Sequence, residues 1–135
     1  MPLIDWDDSY SVSVAEIDGQ HKQLVAMINQ LHQAMLTGQN KQALSGIISG
    51  LASYAGTHFA LEEKYFEKFN YLGSAMHKFE HQNFVKKVKE FQTQFDSGKA
   101  MLSLEVMDFL KNWLLNHIKV QDKKYSKCFN ENGLK

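Results

Sequence analysis

The feature that most constrains this chain is a spacing of three and four residues between apolar or imidazole side chains, sustained in four separate segments. Ile17, His21, Leu24, Ile28, Leu31 and Met35 alternate steps of four and three, which traces one face of a helix. Leu44, Ile48, Leu51, Ala55, His58, Glu62, Tyr65 and Phe69 keep the same alternation in a second segment. His77, His81, Phe84, Val88, Phe91 and Phe95 form a third stripe, and Val106, Leu110, Trp113 and His117 a fourth. Gly19, Gly38, Gly73, Gly98 and Gly133 mark the expected breaks, and the only proline is Pro2. Asp18 is the expected N-cap of the first helix.

The pattern predicts an all-α fold, an up-down-up-down antiparallel four-helix bundle with helices at about 18–37, 41–70, 74–96 and 101–128. Residues 1–17 fit no helix and read as an extended N-terminal arm whose Trp6 packs on the bundle. A length of 135 residues with 44% apolar side chains supports one core, so a single domain over 1–135 is expected.

Composition removes several classes of function. The chain has 15 basic residues, all of them Lys, against 15 acids, for a formal net charge of zero. It therefore offers nucleic acid neither a global field nor a guanidinium. Asp5, Asp7 and Asp8 stand where a secretory signal would carry cations, and no apolar run approaches the ~18 residues of a membrane span. A cytoplasmic protein without membrane insertion is expected. Cys128 has no second cysteine to pair with, so any metal must be held by His and carboxylates.

The core faces carry polar residues where an ordinary bundle has Leu or Ile: His21, His58, Glu62, His77, His81 and His117. Burying each without a partner costs about 1–3 kcal/mol. His58 and Glu62 are four residues apart, as are His77 and His81, so each pair projects from one helix face about a turn apart. In an antiparallel bundle all six fall at the same end, where a shared metal is the natural partner. Asp122 lies five residues after His117, a turn of about 500° in an ideal α-helix, which points it away from His117. It joins the others only if the helix contains a wide π-type turn, a distortion frequent at functional sites.

The strings HFALEE at 58–63, HKFEH at 77–81 and WLLNHIKVQD at 113–122, with His21 and the arm DWDDSYSVSV, resemble the hemerythrin family from end to end, especially its single-domain bacterial members, the bacteriohemerythrins. The resemblance implies a non-haem di-iron centre that binds O2 reversibly for transport or storage. By position, His77, His81 and His117 would hold one iron and His21 and His58 the other, with Glu62 and Asp122 bridging. The cofactor implied is two iron ions, cycling between Fe2+ and Fe3+, with an oxo or hydroxo bridge. Iron rather than manganese rests on the resemblance, since these ligands accept both.

Two octahedral irons offer about twelve positions, of which the five His, two bridging carboxylates and a bridging oxygen fill about eleven. The open position falls on the iron with two His, where O2 would bind end-on as hydroperoxide. Starting from the family's hydroxo-bridged ferrous state, moving the bridging proton onto the bound peroxide leaves the net charge of the site unchanged. A dry apolar O2 pocket is expected from Leu24, Phe59, Trp113, Leu114 and Ile118, which also serve as core packing. Tyr125 matches a tyrosine that family members carry three residues after the bridging Asp, and is expected beside the ligands.

Other residues take plainer readings. His32 lies about 16 Å along the helix from His21 and is structural or surface. Glu63, Glu67 and Glu80 read as solvated faces, Cys128 as a spectator thiol, and Gly46, Gly50 and Gly56 as sites of close helix contact. The function expected is an O2 carrier or store acting as a monomer, not an enzyme, with O2 and an oxygen-consuming enzyme as partners. The alternatives are an O2 or redox sensor acting through a separate partner, disfavoured because no output domain is attached, and a di-iron oxidase or peroxidase. Oxidase bundles use Glu-x-x-His pairs, and no Glu here is followed three residues later by His.

Overall fold

The computed structural model describes residues 3–98 and 104–135. Each spaced stripe lies on a helix: α1 (Ala15–Leu36), α2 (Lys41–Lys68), α3 (Ser74–Asp96) and α4 (Leu104–Asn116), the last continuing through a π-helical turn, His117–Asp122, into α5 (Lys123–Glu131). A 3-10 turn at Asp8–Tyr10 interrupts the arm, and there is no strand among the described residues. The chain is an all-α four-helix bundle. α1 packs on α2 and α4, α2 packs on α3, and α3 meets α4 where Phe84 stacks on Trp113 at 4.2 Å. No described helix is long and apolar enough to cross a membrane.

Local chemistry sets the helix ends. Asn40 caps α2 by accepting the Ala43 amide at 2.8 Å. Gly38, at φ +71°, supplies the left-handed step that turns the chain out of α1. α1 begins at Ala15 rather than at Asp18, and its N-cap Val14 has no side-chain acceptor. Asp18 sits in the first turn and reaches backward instead, taking the Val12 amide at 2.8 Å and the Ser11 hydroxyl at 2.5 Å. An acid there still complements the N-terminal dipole, while its hydrogen bonds go to the arm. The expected start of the fourth helix, at about 101, and Pro2 lie outside the described residues.

The arm is tied down along its length. Asn29 brackets Ile4, accepting its amide at 2.8 Å and donating to its carbonyl at 2.9 Å. Asn130 donates to the Ser13 carbonyl at 3.0 Å. Ser13 holds a left-handed φ of 60° between Val12 and Val14, both fully buried, so packing on either side maintains the unfavourable backbone. Trp6 lies against the core, with the Lys22 ammonium 5.6 Å from its ring centre.

The apolar interior forms two clusters. The larger includes Leu24, Ile28, Leu31, Leu51, Phe84 and Leu110. The smaller consists of Val12, Val14, Ile17, Phe66, Tyr125 and Phe129. The helical glycines do not create close helix approaches. Among the described residues, a Cβ at Gly46 or Gly56 would have no neighbour within 4 Å outside its own helix turn, and one at Gly50 would meet only the Met27 methyl at 3.8 Å.

Candidate metal centre

Between the two clusters lies a layer of buried polar side chains contributed by every helix of the bundle. His21 from α1, His58 and Glu62 from α2, His77 and His81 from α3, and His117 and Asp122 from the π turn are all at most 3% exposed. The π turn decides the last of these. Its wider winding brings Asp122 back toward His117, with Oδ1 3.0 Å from His117 Nε2.

These atoms form two overlapping groups, Glu62, His77, His81, His117 and Asp122 in one, His21, His58, Glu62 and Asp122 in the other. Both carboxylates belong to both groups. Asp122 Oδ1 is 2.7 Å from His77 Nε2, and its Oδ2 is 3.0 Å from His21 Nε2. Glu62 Oε1 stands 3.2 Å from His58 Nε2 and 3.3 Å from His81 Nε2. Its other oxygen accepts a very short hydrogen bond from the Tyr125 hydroxyl.

The contacts are close, but many lack hydrogen-bond geometry. His21 Nε2, Glu62 Oε1 and both Asp122 oxygens are buried with no hydrogen-bond partner. The Nε2 atoms of His77 and His81 stand 3.0 Å and 3.1 Å from that of His117. The inward nitrogen of His21 and these carboxylate oxygens thus converge on common points without pairing. Left unsatisfied, each such buried group costs about 1–3 kcal/mol. A donor set of imidazoles and carboxylates in this arrangement fits divalent transition-metal ions, and the layer is able to hold metal.

The electrostatics agree. Burial raises the Glu62 carboxyl pKa and the Asp122 charge raises it further, yet His58 and His81 at close range outweigh both and hold it below its usual value. Burial likewise opposes ionisation of Asp122, but His117, then His21 and His77, hold its pKa well below the ordinary carboxylate range. For His117 burial lowers the pKa, and Asp122, with Glu62 and Glu80, more than reverses it, so the net shift is upward. Burial, then the charges of Asp122 and Glu62, push the Tyr125 hydroxyl well above its usual value, leaving it protonated and able to donate.

Apolar rings enclose the layer. Phe59 stacks on His81 at 3.9 Å, and Trp113 stacks on His117 at 4.4 Å. Leu24, Leu114 and Ile118 are buried in the same apolar cluster as Phe59. On the other side, Phe66 lies 4.8 Å from the His77 ring and Tyr125 5.6 Å from it. A groove of about 760 Å³ at the surface of α2 and α3, lined in part by Gly56, Phe59, Glu63, His81, Val85 and Lys89, reaches the outer edge of His81.

Several residues around the layer depart from their plain sequence readings. Glu63 Oε2 is 3.1 Å from His81 Nδ1, and Glu80 Oε1 is 3.7 Å from His117 Nδ1. Neither is simply a solvated acid. Glu67, by contrast, is exposed and pairs with Lys78 at 3.1 Å. Gln20 Oε1 lies 2.6 Å from His58 Nδ1, a contact that no spacing rule flags because it depends on how two helices are rotated. The stripe points to Tyr65, but Phe66, four residues after Glu62, is the one that is buried. His32 is half-buried and lies outside both groups.

Comparison with known proteins agrees with this architecture. Residues 12–128 match the family model described as the hemerythrin HHE cation binding domain. The bacteriohemerythrin of Stenotrophomonas maltophilia is 35% identical over 126 residues, covering 93% of this chain and 81% of the relative. That of Methylococcus capsulatus is 33% identical over 129 residues, covering 95% of this chain and 98% of the relative. A crystal structure of wild-type hemerythrin superposes with a TM-score of 0.88 at 32% identity, covering 93% of this chain and 97% of the other. With its bundle, its buried layer and a family match over most of its length, the chain belongs to the hemerythrin family.

Proposed function

We propose that this protein binds O2 reversibly, as a carrier or store, at a di-iron centre in the buried layer. In this reading His77, His81 and His117 hold one iron, His21 and His58 hold the other, and Glu62 and Asp122 bridge them. The observation that carries it is that the two groups share both carboxylates, with the oxygens of Asp122 turned to different groups. A pair of ferrous ions supplies the two electrons on which reversible O2 binding draws.

The chain's own side chains would do the rest. Phe59 and Trp113 lie flat on His81 and His117 and, with the buried Leu24, Leu114 and Ile118, keep water from the site. A dry surround suits a small neutral ligand and disfavours release of charged products. Tyr125 holds its proton and donates it in a hydrogen bond to Glu62, which fixes the orientation of that carboxylate. A binding protein is favoured over an oxidase because the donors are mostly neutral imidazoles, in contrast to the Glu-rich sites of oxidase bundles.

The test is anaerobic reduction of the iron-loaded chain, addition of O2 and then its removal, followed by absorption spectroscopy with an iron assay. The expected result is two irons per chain, one for each group, and an oxygenated chromophore that forms and disappears over repeated cycles. Rapid one-way conversion to the diferric form with release of peroxide would overturn the carrier reading.

A further inference from the structure

Three histidines in the layer have a polar side chain from the preceding helix near the ring nitrogen that faces away from the cluster, hydrogen-bonded at His58 and His81 and only in ionic range at His117. Gln20 on α1 meets Nδ1 of His58 on α2 at 2.6 Å. Glu63 on α2 meets Nδ1 of His81 on α3 at 3.1 Å, and Glu80 on α3 stands 3.7 Å from Nδ1 of His117, which follows α4. Every backing residue is the chain neighbour of a residue in the layer, Gln20 of His21, Glu63 of Glu62 and Glu80 of His81. One helical position therefore points inward while the next reaches sideways to the adjoining helix.

The backing is not uniform in charge. The neutral amide stands behind the group containing His21 and His58, whereas both carboxylates stand behind the group containing His77, His81 and His117. Glu63 and Glu80 are about a third exposed, at 31% and 32%, so their charges are only partly screened. An acceptor at Nδ1 keeps the proton on that nitrogen and leaves the Nε2 lone pair directed inward. A carboxylate acceptor also increases the electron donation of the ring, which a neutral amide does far less.

We infer that Gln20 and Glu63 are positioning residues which, with the nearby charge of Glu80, make the two metal positions electronically unequal, the three-histidine position being the more electron-rich. This rests on the di-iron reading above. Glu63 pairs with Nδ1 of His81 and so fixes and enriches that ring. The Glu80 carboxylate, 3.7 Å from Nδ1 of His117 and not hydrogen-bonded to it, adds negative charge on the same side, so the metal held there is stabilised in its higher oxidation state. Gln20 orients His58 without that enrichment, and the metal at the two-histidine position keeps a higher potential.

The experiment compares the wild-type chain with Glu63→Gln, Glu63→Ala and Gln20→Glu, each loaded separately with Fe(II) and with Zn(II). Metal content, the midpoint potential of the iron form, nitrogen NMR of the histidine rings in the zinc form, and the rate of zinc loss to a chelator are measured. Glu63→Gln should keep the His81 tautomer and hold zinc nearly as well as wild type, while the potential of one iron rises. Glu63→Ala should lose that tautomer preference and release zinc about 10-fold faster or more. Gln20→Glu should lower the potential of the other iron. Unchanged potentials in Glu63→Gln and Gln20→Glu, with zinc release unchanged in Glu63→Ala, would overturn the inference and leave Glu63 a surface acid. A wild-type chain that takes up neither metal would instead overturn the di-iron reading itself, and this inference with it.

Discussion

His117 and Asp122 are separated by five positions along the chain, yet Nε2 of the first and Oδ1 of the second stand 3.0 Å apart. The π turn between them acts as a one-residue insertion in an otherwise α-helical segment, and everything after it keeps its face: Tyr125 and Phe129 are both fully buried. Deleting Val120, which is exposed, should convert the turn to α-helix, leave Asp122 four positions after His117, and preserve metal content. Inserting one Ala after Val120 should rotate Asp122, Tyr125 and Phe129 by about 100° together and abolish metal uptake. Metal analysis and circular dichroism of the two variants separate these outcomes.

His77 belongs to the three-histidine group, whereas His32 lies outside both groups. His77→Ala should therefore reduce metal content after anaerobic loading, and His32→Ala should leave it at the wild-type value. A metal assay on the purified variants checks both. An equal loss in the two would point to general destabilisation.

The Tyr125 hydroxyl is the hydrogen-bond donor to a fully buried Glu62 oxygen. Tyr125→Phe removes that donor while conserving the ring packed on Phe129 at 4.3 Å. Leaving the carboxylate oxygen unsatisfied should cost about 1–3 kcal/mol in the metal-free chain, read from urea denaturation, with a smaller loss when metal is bound. Metal should also dissociate faster from the variant, because Glu62 is no longer oriented.

In the metal-free chain the buried titratable groups limit stability from both sides. Glu62 and Asp122 have folded-state pKa values below their unfolded ones. Their contribution is complete above the unfolded values near pH ~4 and is lost as pH falls through the lower folded values. His117 is shifted upward, so its contribution is complete below its unfolded value near pH ~6.5 and is lost as pH rises through the folded one. Denaturation of metal-free protein across pH should therefore show maximal stability between about pH 4 and 6.5. In Asp122→Asn the acid limb should flatten, and so should the alkaline limb, since the Asp122 charge is the leading cause that raises His117.

Much of the bundle is legible in the spacing of Ile17 to Met35 and its counterparts, because a stripe repeating every three or four residues has one way to become buried. The members of the polar layer stand out for the same reason, as His21, His58 and Glu62 interrupt otherwise apolar stripes. Other contacts depend on quantities that spacing does not carry. Asp18 has the chemistry of an N-cap, but its carboxylate finds better donors at Ser11 and Val12 once the arm folds back. Phe66 replaces Tyr65 in the interior because 3.6 residues per turn drifts away from a strict alternation over the six steps from Leu44 to Tyr65. Gln20, Glu63 and Glu80 resemble ordinary surface residues because their partners lie on other helices.

The polar layer also divides the interior into two apolar halves, one built on Leu24, Leu51 and Phe84 and the other on Ile17, Phe66 and Phe129. Among the described residues the two halves share no buried apolar member, and the buried His and carboxylate side chains stand between them. A bound metal thus serves as mortar between two part-cores, and its removal uncouples them. Amide exchange in the metal-free chain should then separate into two cooperative units. The smaller, holding α5 and the end of the arm, should open first, and the two should merge into one when metal is restored.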